Sequence, residues 1–480
     1  MVTSARQEKA ALRLSRTAVS LHFVEWASED AAADDGAAIP MAYPNCAVFR
    51  SMELDLLSYQ YQVRPPLGSR CETHARAALE ILFPATFDYH SEGRTIPLHC
   101  DDPVRPAEVM LSSTSFLAGG VRIWHCTFVP PEGGAFSEFD IIKLIHLYDG
   151  RTEQTGLAEL VRFRLADGSE CMIGDLPSRI AGHPISAELK AGTVELIHGD
   201  ELICKGGPTH GELFKRVLNA RRPGGQTDHD KIKHWIEHDT PAWQAVMAYC
   251  GIVTGIFDFD EIDDEEVLDT LEPTFSDSDT IIRIHRCTFI AIASDDRAME
   301  ECWPTVGISP YLLLPHSVIL FNEHLVERAE AWLEEALGPK GPDHQGKWLK
   351  WLVSGTIRQL EEKQTLVSRN LNSLYLPNLF NYITERTLYD RGLQSRGLID
   401  KLAATRNRLA ELDSRLETLW ETRRFREQLI ITYLLALLSI LQARDVFVHC
   451  LGPWGAWVML GIGLLVTGVV IRMWGTKRNK

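Results

Sequence analysis

LIITYLLALLSILQA, residues 429–443, and WGAWVMLGIGLLVTGVVI, residues 454–471, are the stretches whose reading decides the architecture. Neither contains a formal charge, and the short connector Arg444–Pro453 joins them. As helix the second stretch is about 27 Å long, close to the roughly 30 Å of a hydrocarbon core. Trp454 and Trp457 at one end and Trp474 at the other suit interfacial belts. The first stretch makes only about 22 Å, short of the usual range of about 17–25 residues. Extending it from Phe425 to Val448 buries Arg444 and Asp445, which is costly. A short span is the favoured reading and an interfacial helix the alternative. Arg423, Arg424 and Arg426 precede the first stretch, and Arg472, Lys477, Arg478 and Lys480 follow the second. The positive-inside rule then places both termini in the cytoplasm of an inner or plasma membrane, with a multi-pass topology and the lipid bilayer as a partner.

Outward from this hairpin, the chain is acidic. Its 480 residues carry a formal net charge of −16. Positive charge is concentrated after Glu421, so the preceding head is more acidic than the total. Such a head disfavours nucleic acid, whose backbone demands a basic footprint. The 10 cysteines are scattered without a CxxC pair, as in a reducing compartment.

The length predicts two to four domains. The composition shifts suggest a polar N-terminus over 1–40, a first α/β lobe over 41–204, a second over 205–338, a helical stalk over 339–426 and the hairpin with its basic tail over 427–480. Thr73–Leu82 reads as an amphipathic helix. Val121–Val129, Ile141–Tyr148, Val194–Ile197, Ile281–Ile292 and Tyr311–Phe321 read as strands, and Pro241–Thr254 and Glu323–Leu337 as helices. Arg122–Phe128 (RIWHCTF) echoes Arg283–Phe289 (RIHRCTF), by duplication or by chance. Leu398, Leu402, Thr405, Leu409, Leu412, Leu416 and Leu419 alternate in steps of four and three, an a/d seam. It serves either a coiled-coil stalk or packing on the chain's own head. The expected fold is therefore an α+β cytosolic head with mixed sheets, a long C-terminal coiled-coil-like stalk helix and a two-helix transmembrane hairpin.

At 100° per residue, Gln428, Thr432, Leu435, Ser439 and Gln442 share one arc of about 80°. A polar stripe interrupted by one leucine suits the wall of an oligomeric pore, with Leu435 as constriction. It equally suits interhelical hydrogen bonding. Arg444 and Asp445 would sit at the mouth.

Two other stretches are candidates for chemistry. His234-Trp235-Ile236-Glu237-His238 has the HxxEH spacing that puts two zinc ligands on one helix face beside a general base. Asp258, Asp260, Asp263 and Asp264 form an acidic run suited to Mg²⁺ or another divalent cation, or to a solvated loop. No phosphate-binding glycine loop and no GxSxG elbow is present. His125, His285 and His316 lie in apolar runs and read as structural.

The acidic head, stalk, paired C-terminal apolar segments and basic tail together resemble the CorA-like magnesium transporter superfamily, over about residues 311–480. The resemblance implies a homo-oligomer, five subunits in that family, with the first span lining the pore and the second outside it. The family's Gly-Met-Asn signature is absent from the connector, Gln442–Pro453, so magnesium selectivity is not implied. The function expected is a homo-oligomeric membrane channel or transporter for inorganic cations, without a bound cofactor and not an enzyme. The alternative is a membrane-tethered sensor or effector with the hairpin as anchor.

Overall fold

The computed structural model describes residues 6–7, 12–26, 69–91, 94–100, 102–116, 120–148, 155–197, 240–257, 274–276, 280–293, 307–337, 354–372 and 383–452, with isolated positions between and beyond them. They divide into two units, one of residues 1–327 and 370–402, the other of residues 328–369 and 403–480.

The first unit is built on strands β1 (Arg6–Gln7), β2 (Thr17–Trp26), β3 (Ser69–Leu82), β4 (Thr86–Ser91), β5 (Arg94–His99), β6 (Val104–Phe116), β7 (Val121–Val129), β8 (Arg162–Leu165), β9 (Glu170–Cys171), β10 (Ala187–Ile197), β11 (Phe275–Ser276), β12 (Thr280–His285) and β13 (Thr288–Ala293). Ten of them form one mixed sheet in the order β11-β12-β13-β10-β2-β7-β6-β3-β8-β9, and β1, β5 and β4 form a smaller sheet. Its pairs are antiparallel except β10 with β13, which is parallel.

Alternation along the central strands sends side chains to two cores. Leu21 and Phe23 of β2 and Trp124, Cys126 and Phe128 of β7 face one core, shared with helices α1 (Glu138–Ile145) and α4 (Thr240–Thr254). Ala18 and Val24, with Val121 and Ile123, face the other, beneath the start of α5 (Pro310–Leu337) and α7 (Ile383–Ser395). Between α1 and α4 in the chain lie the short helices α2 (Leu157–Leu160) and α3 (Leu176–Ala181).

Several local expectations are corrected. Thr73–Leu82 is strand, not helix. Leu79 and Ile81 are buried while His74, Arg76 and Ala78 are exposed, a period of two imposed by pairing with β6 and β8. Ile141–Tyr148, helix to Ile145 and then a turn, and Tyr311–Phe321, all helix, are not strands. All eight residues of α1 are buried, as are Leu312–Glu323 of α5, so no exposed face marks the helical period. The echo RIWHCTF/RIHRCTF has no structural counterpart. The first copy runs straight along β7, whereas the second turns between β12 and β13 at Arg286, whose φ is 49°.

In the second unit, α8 (Leu398–Leu451) continues a helix begun in the first. There it lies against the end of α5 and against α6 (Ser354–Asn372). Thr405 Oγ1 donates to Glu330 at 3.1 Å, and Arg415 to the Leu337 carbonyl at 3.4 Å, so α5 and α8 run parallel. Gln364 donates to Asp413 at 2.7 Å and Trp420 to Glu361 at 3.1 Å, so α6 runs antiparallel to α8. The predicted seam is buried in this arrangement: Thr405, Leu412 and Leu416 are inaccessible and Leu409 and Leu419 half-buried.

The transmembrane hairpin is corrected. No helix among the described residues is long and apolar enough to cross a membrane. This overturns the two-helix membrane element and the multi-pass inner- or plasma-membrane placement with cytoplasmic termini. The physical reason lies in the first stretch. Its uncharged core is too short, and α8 carries it unbroken between the charges of Arg423, Arg424 and Glu427 and those of Arg444 and Asp445. Of Trp454–Ile471, half the positions lie outside the described residues.

Candidate functional site

The central strands carry polar side chains where a sheet over a helix ordinarily carries apolar ones. Ser20, His22, Ser112, Thr114, His125, Thr127, Thr193 and Glu195 are all buried, with His316 and Ser317 of α5 among them. Burial without partners would cost several kcal/mol per group, on the order of 2–7, so the pairing is informative.

His22 and His125 sit directly opposite each other on β2 and β7. Their Nδ1 atoms are 2.8 Å apart. His22 Nε2 lies 2.8 Å from Thr193 Oγ1 on β10, and the same hydroxyl lies 2.9 Å from His316 Nδ1. His125 Nε2 reaches Thr114 Oγ1 at 3.0 Å. The ring of His316 stacks on Phe289 at 4.1 Å with an interplanar angle of 8°. His316 Nε2 has no hydrogen-bond partner among the described residues.

These contacts fix the tautomers. One nitrogen of the His22–His125 contact donates and the other accepts. If His125 donates, the chain of donors runs through His22 and Thr193 and ends with an N–H on His316 Nε2 that has no acceptor. If His22 donates, His22 Nε2 accepts from Thr193, Thr193 accepts from His316 Nδ1–H, and His316 Nε2 is left only with a bare lone pair. A buried bare acceptor is less costly than a buried orphan donor. The second arrangement makes all three rings neutral and gives each contact one donor.

Electrostatics agree. Burial holds His22 well below the usual histidine range, with smaller contributions from His316, His125 and Arg396. Burial alone lowers His125 to about 3. Burial, then Arg396 and His125, lowers His316. The charges nearest the chain are held by others: Arg396 Nε donates to Glu323 at 2.7 Å, Lys401 lies 3.5 Å from Glu323, and the Glu195 carboxylate accepts from the Ser309 backbone at 2.9 Å. An added proton therefore meets no free carboxylate in this network.

The residues singled out from sequence do not converge here. Gln428, Thr432, Leu435, Ser439 and Gln442 are exposed on α8. Thr432 and Ser439 donate to the carbonyls of Gln428 and Leu435, each at 2.8 Å, so these hydroxyls are satisfied within their own helix. Arg444 and Asp445 lie on the same helix, and their side chains are outside the described residues. Asp258, Asp260, Asp263 and Asp264 also lie outside them, as do Glu237 and His238; His234 is exposed. Among the described residues no group of three or more His, Cys, Asp or Glu is placed to hold a metal ion. His22 was not singled out, although it shares with His125 a place in an apolar strand. Only the register of β2 against β7 brings the two together.

Comparison with protein-family models, with curated proteins and with solved structures finds no match to this chain.

Proposed function

We propose that the protein is a non-enzymatic regulatory protein, a proton-responsive sensor whose head is held by the neutral His22–His125–Thr193–His316 chain. The observation that carries this reading is the set of three fully buried histidines in one hydrogen-bonded line across β2, β7, β10 and α5. Substrate does not reach side chains this deeply enclosed. A proton entering on transient opening finds only the bare His316 Nε2 lone pair, where it would create a buried charge and a donor with no acceptor among the described residues. Among the described residues, Glu195 on β10 accepts from the Ser309 backbone and Arg396 donates to Glu323, and neither carboxylate replaces the missing acceptor. Acidification therefore opens this interface before the rest of the unit.

The effector side of the reading is the projecting part of α8, with a second copy of the chain as its occupant. Ser354 begins the described length of α6 seven residues before Glu361, about 10 Å along the helix, so among the described residues α6 covers α8 to about residue 427. Beyond it Ile430, Ile431, Leu434, Leu435 and Leu438 are each about half exposed. Among the described later residues, Trp454, Trp457, Ile462, Leu464 and Leu465 are also exposed. Two copies bring matching uncharged surfaces together, and residues 428–443 place no like charges opposite each other. The five α8 side chains expose on the order of 100 Å² each, so two copies reach on the order of 1,000 Å², the lower end for a specific contact.

Hydrogen–deuterium exchange on the full chain tests the sensor reading at about pH 7.5 and about pH 5.5, corrected for intrinsic exchange. Peptides of β2, β7, β10 and the start of α5 should lose protection first. Unchanged protection there, or earlier loss in β3, β8 and β9, would overturn it.

A further inference from the structure

We propose that Lys143 and Cys100 form an oxidisable pair, in which the lysine amine and the cysteine sulfur become joined through one oxygen atom as a nitrogen–oxygen–sulfur bridge. All eight residues of α1 are buried, including Lys143, which has 0% exposure. A capping box at Ser137 and Asp140 fixes where the helix starts, and with it where the lysine points. Lys143 Nζ donates to Cys100 Sγ at 3.2 Å and lies 4.8 Å from the centre of the Phe83 ring. Cys100 is itself buried at 4% exposure. The two reactive atoms are thus held in contact in a pocket that excludes bulk water, and a single oxygen atom spans the gap between them with little side-chain movement.

The chemistry closes with dioxygen as oxidant. The –NH₂ form of the amine and the thiol each give up one hydrogen. One oxygen atom is retained between nitrogen and sulfur, and the other leaves with the two hydrogens as water. Nitrogen and sulfur each lose two electrons, and dioxygen gains the four. Excess dithiol reverses the step, returning amine and thiol and releasing the bridging oxygen as water. Dioxygen is small and apolar enough to enter a protein interior that excludes larger oxidants.

Cys126 and Cys171 stand in a different setting. Burial pushes the Cys126 thiol up, with Cys171 adding to it, and burial pushes Cys171 up as well. Both are held toward the unreactive thiol. At Cys100 an amine sits against the sulfur, the electropositive neighbourhood in which cysteine oxidation is favoured. The consequence is mechanical. Cys100 follows β5, and its N–H donates to the Ala85 carbonyl at 2.9 Å, closing the mouth of the β4–β5 hairpin. A bridge to α1 would pin this hairpin covalently to the core.

Mass spectrometry of the full chain, with one sample kept under dithiol and one held in air-saturated buffer, tests this. The expected product has the parent mass plus one oxygen and minus two hydrogens. It maps to a linked pair of peptides holding Cys100 and Lys143, and dithiol removes it. Cys100→Ala and Lys143→Met should each abolish it. Since the wild-type chain gives the primary readout, a poorly folding variant does not blunt the test. No mass change under saturating oxygen, or oxygen on Cys100 without a link to Lys143, would overturn the proposal.

Discussion

Lowering the pH from about 7.5 to about 5.5 should destabilise the first unit by about 4 kcal/mol. Each of His22, His125 and His316 has a folded-state pKa lowered by burial. A group of this kind stabilises the fold fully above its unfolded value, about 6.5. That stabilisation is lost as the pH falls, because the unfolded chain takes up a proton that the folded chain refuses. For His125 the loss continues down toward about 3. One unit below the unfolded value, the cost is about 1.4 kcal/mol per histidine, and one unit above it is close to zero. Three histidines give about 4 kcal/mol, a large part of the roughly 5–15 kcal/mol by which a domain is ordinarily stable.

Urea unfolding followed by tryptophan fluorescence at half-unit pH steps measures this, since Trp124 lies on β7 beside His125. The window ends above the range in which carboxylates titrate, so histidines dominate the slope. The expected slope approaches three protons at its acid end. His125→Asn should reduce it by one proton whatever it does to absolute stability. A profile flat over this window, or a slope unchanged in His125→Asn, would refute the neutral-chain argument.

Gly192→Ala should destabilise the head by about 1–3 kcal/mol in the same unfolding assay. Its added Cβ would stand 2.3 Å from the Tyr148 ring, whose hydroxyl is 3.0 Å from Thr288 Oγ1. Arg396→Met should cost about 3–5 kcal/mol, because it strips the buried Glu323 of its closest cation. Leu434→Glu with Leu438→Glu should turn an assembling chain into a monomer in sedimentation velocity, with the thermal unfolding of the head unchanged. A wild-type chain that stays monomeric at tens of micromolar, or that enters complexes only with vesicles, would remove the second copy as occupant.

The parts of the fold legible in the sequence are those with one wet side. The seam from Leu398 to Leu419 reads as helix because charges separate its apolar steps, and β7 reads as strand from its β-branched and aromatic content. Elements buried all round defeat the same reasoning. α1 and the start of α5 present apolar residues to every side, and their period disappears. In Thr73–Leu82 the reverse happened: alanine, glutamate and leucine favour a helix, but strand pairing on both flanks decided the matter. The candidate site is a product of register. His22, His125, Thr193 and His316 are separated by as many as 294 positions, and nothing local in any of the four segments foretells that their polar atoms meet.

The fate of the a/d seam also constrains what α8 can do. A heptad pattern is ordinarily satisfied by a partner helix, and here α5 and α6 of the same chain supply it up to Trp420. The next positions in the same phase are Arg423 and Arg426, and Arg423 is turned into an ion pair with Glu427 at 2.8 Å. The Arg423 charge is kept out of the seam, where it would have to be desolvated. Apolar residues resume in phase at Ile430, beyond the described lengths of α5 and α6. One helix thereby carries a length packed on α5 and α6 and, among the described residues, a length whose apolar side chains stand exposed. The head can then be perturbed by acid, and the projecting length by substitution, each without the other. That separation makes the two proposals independently testable.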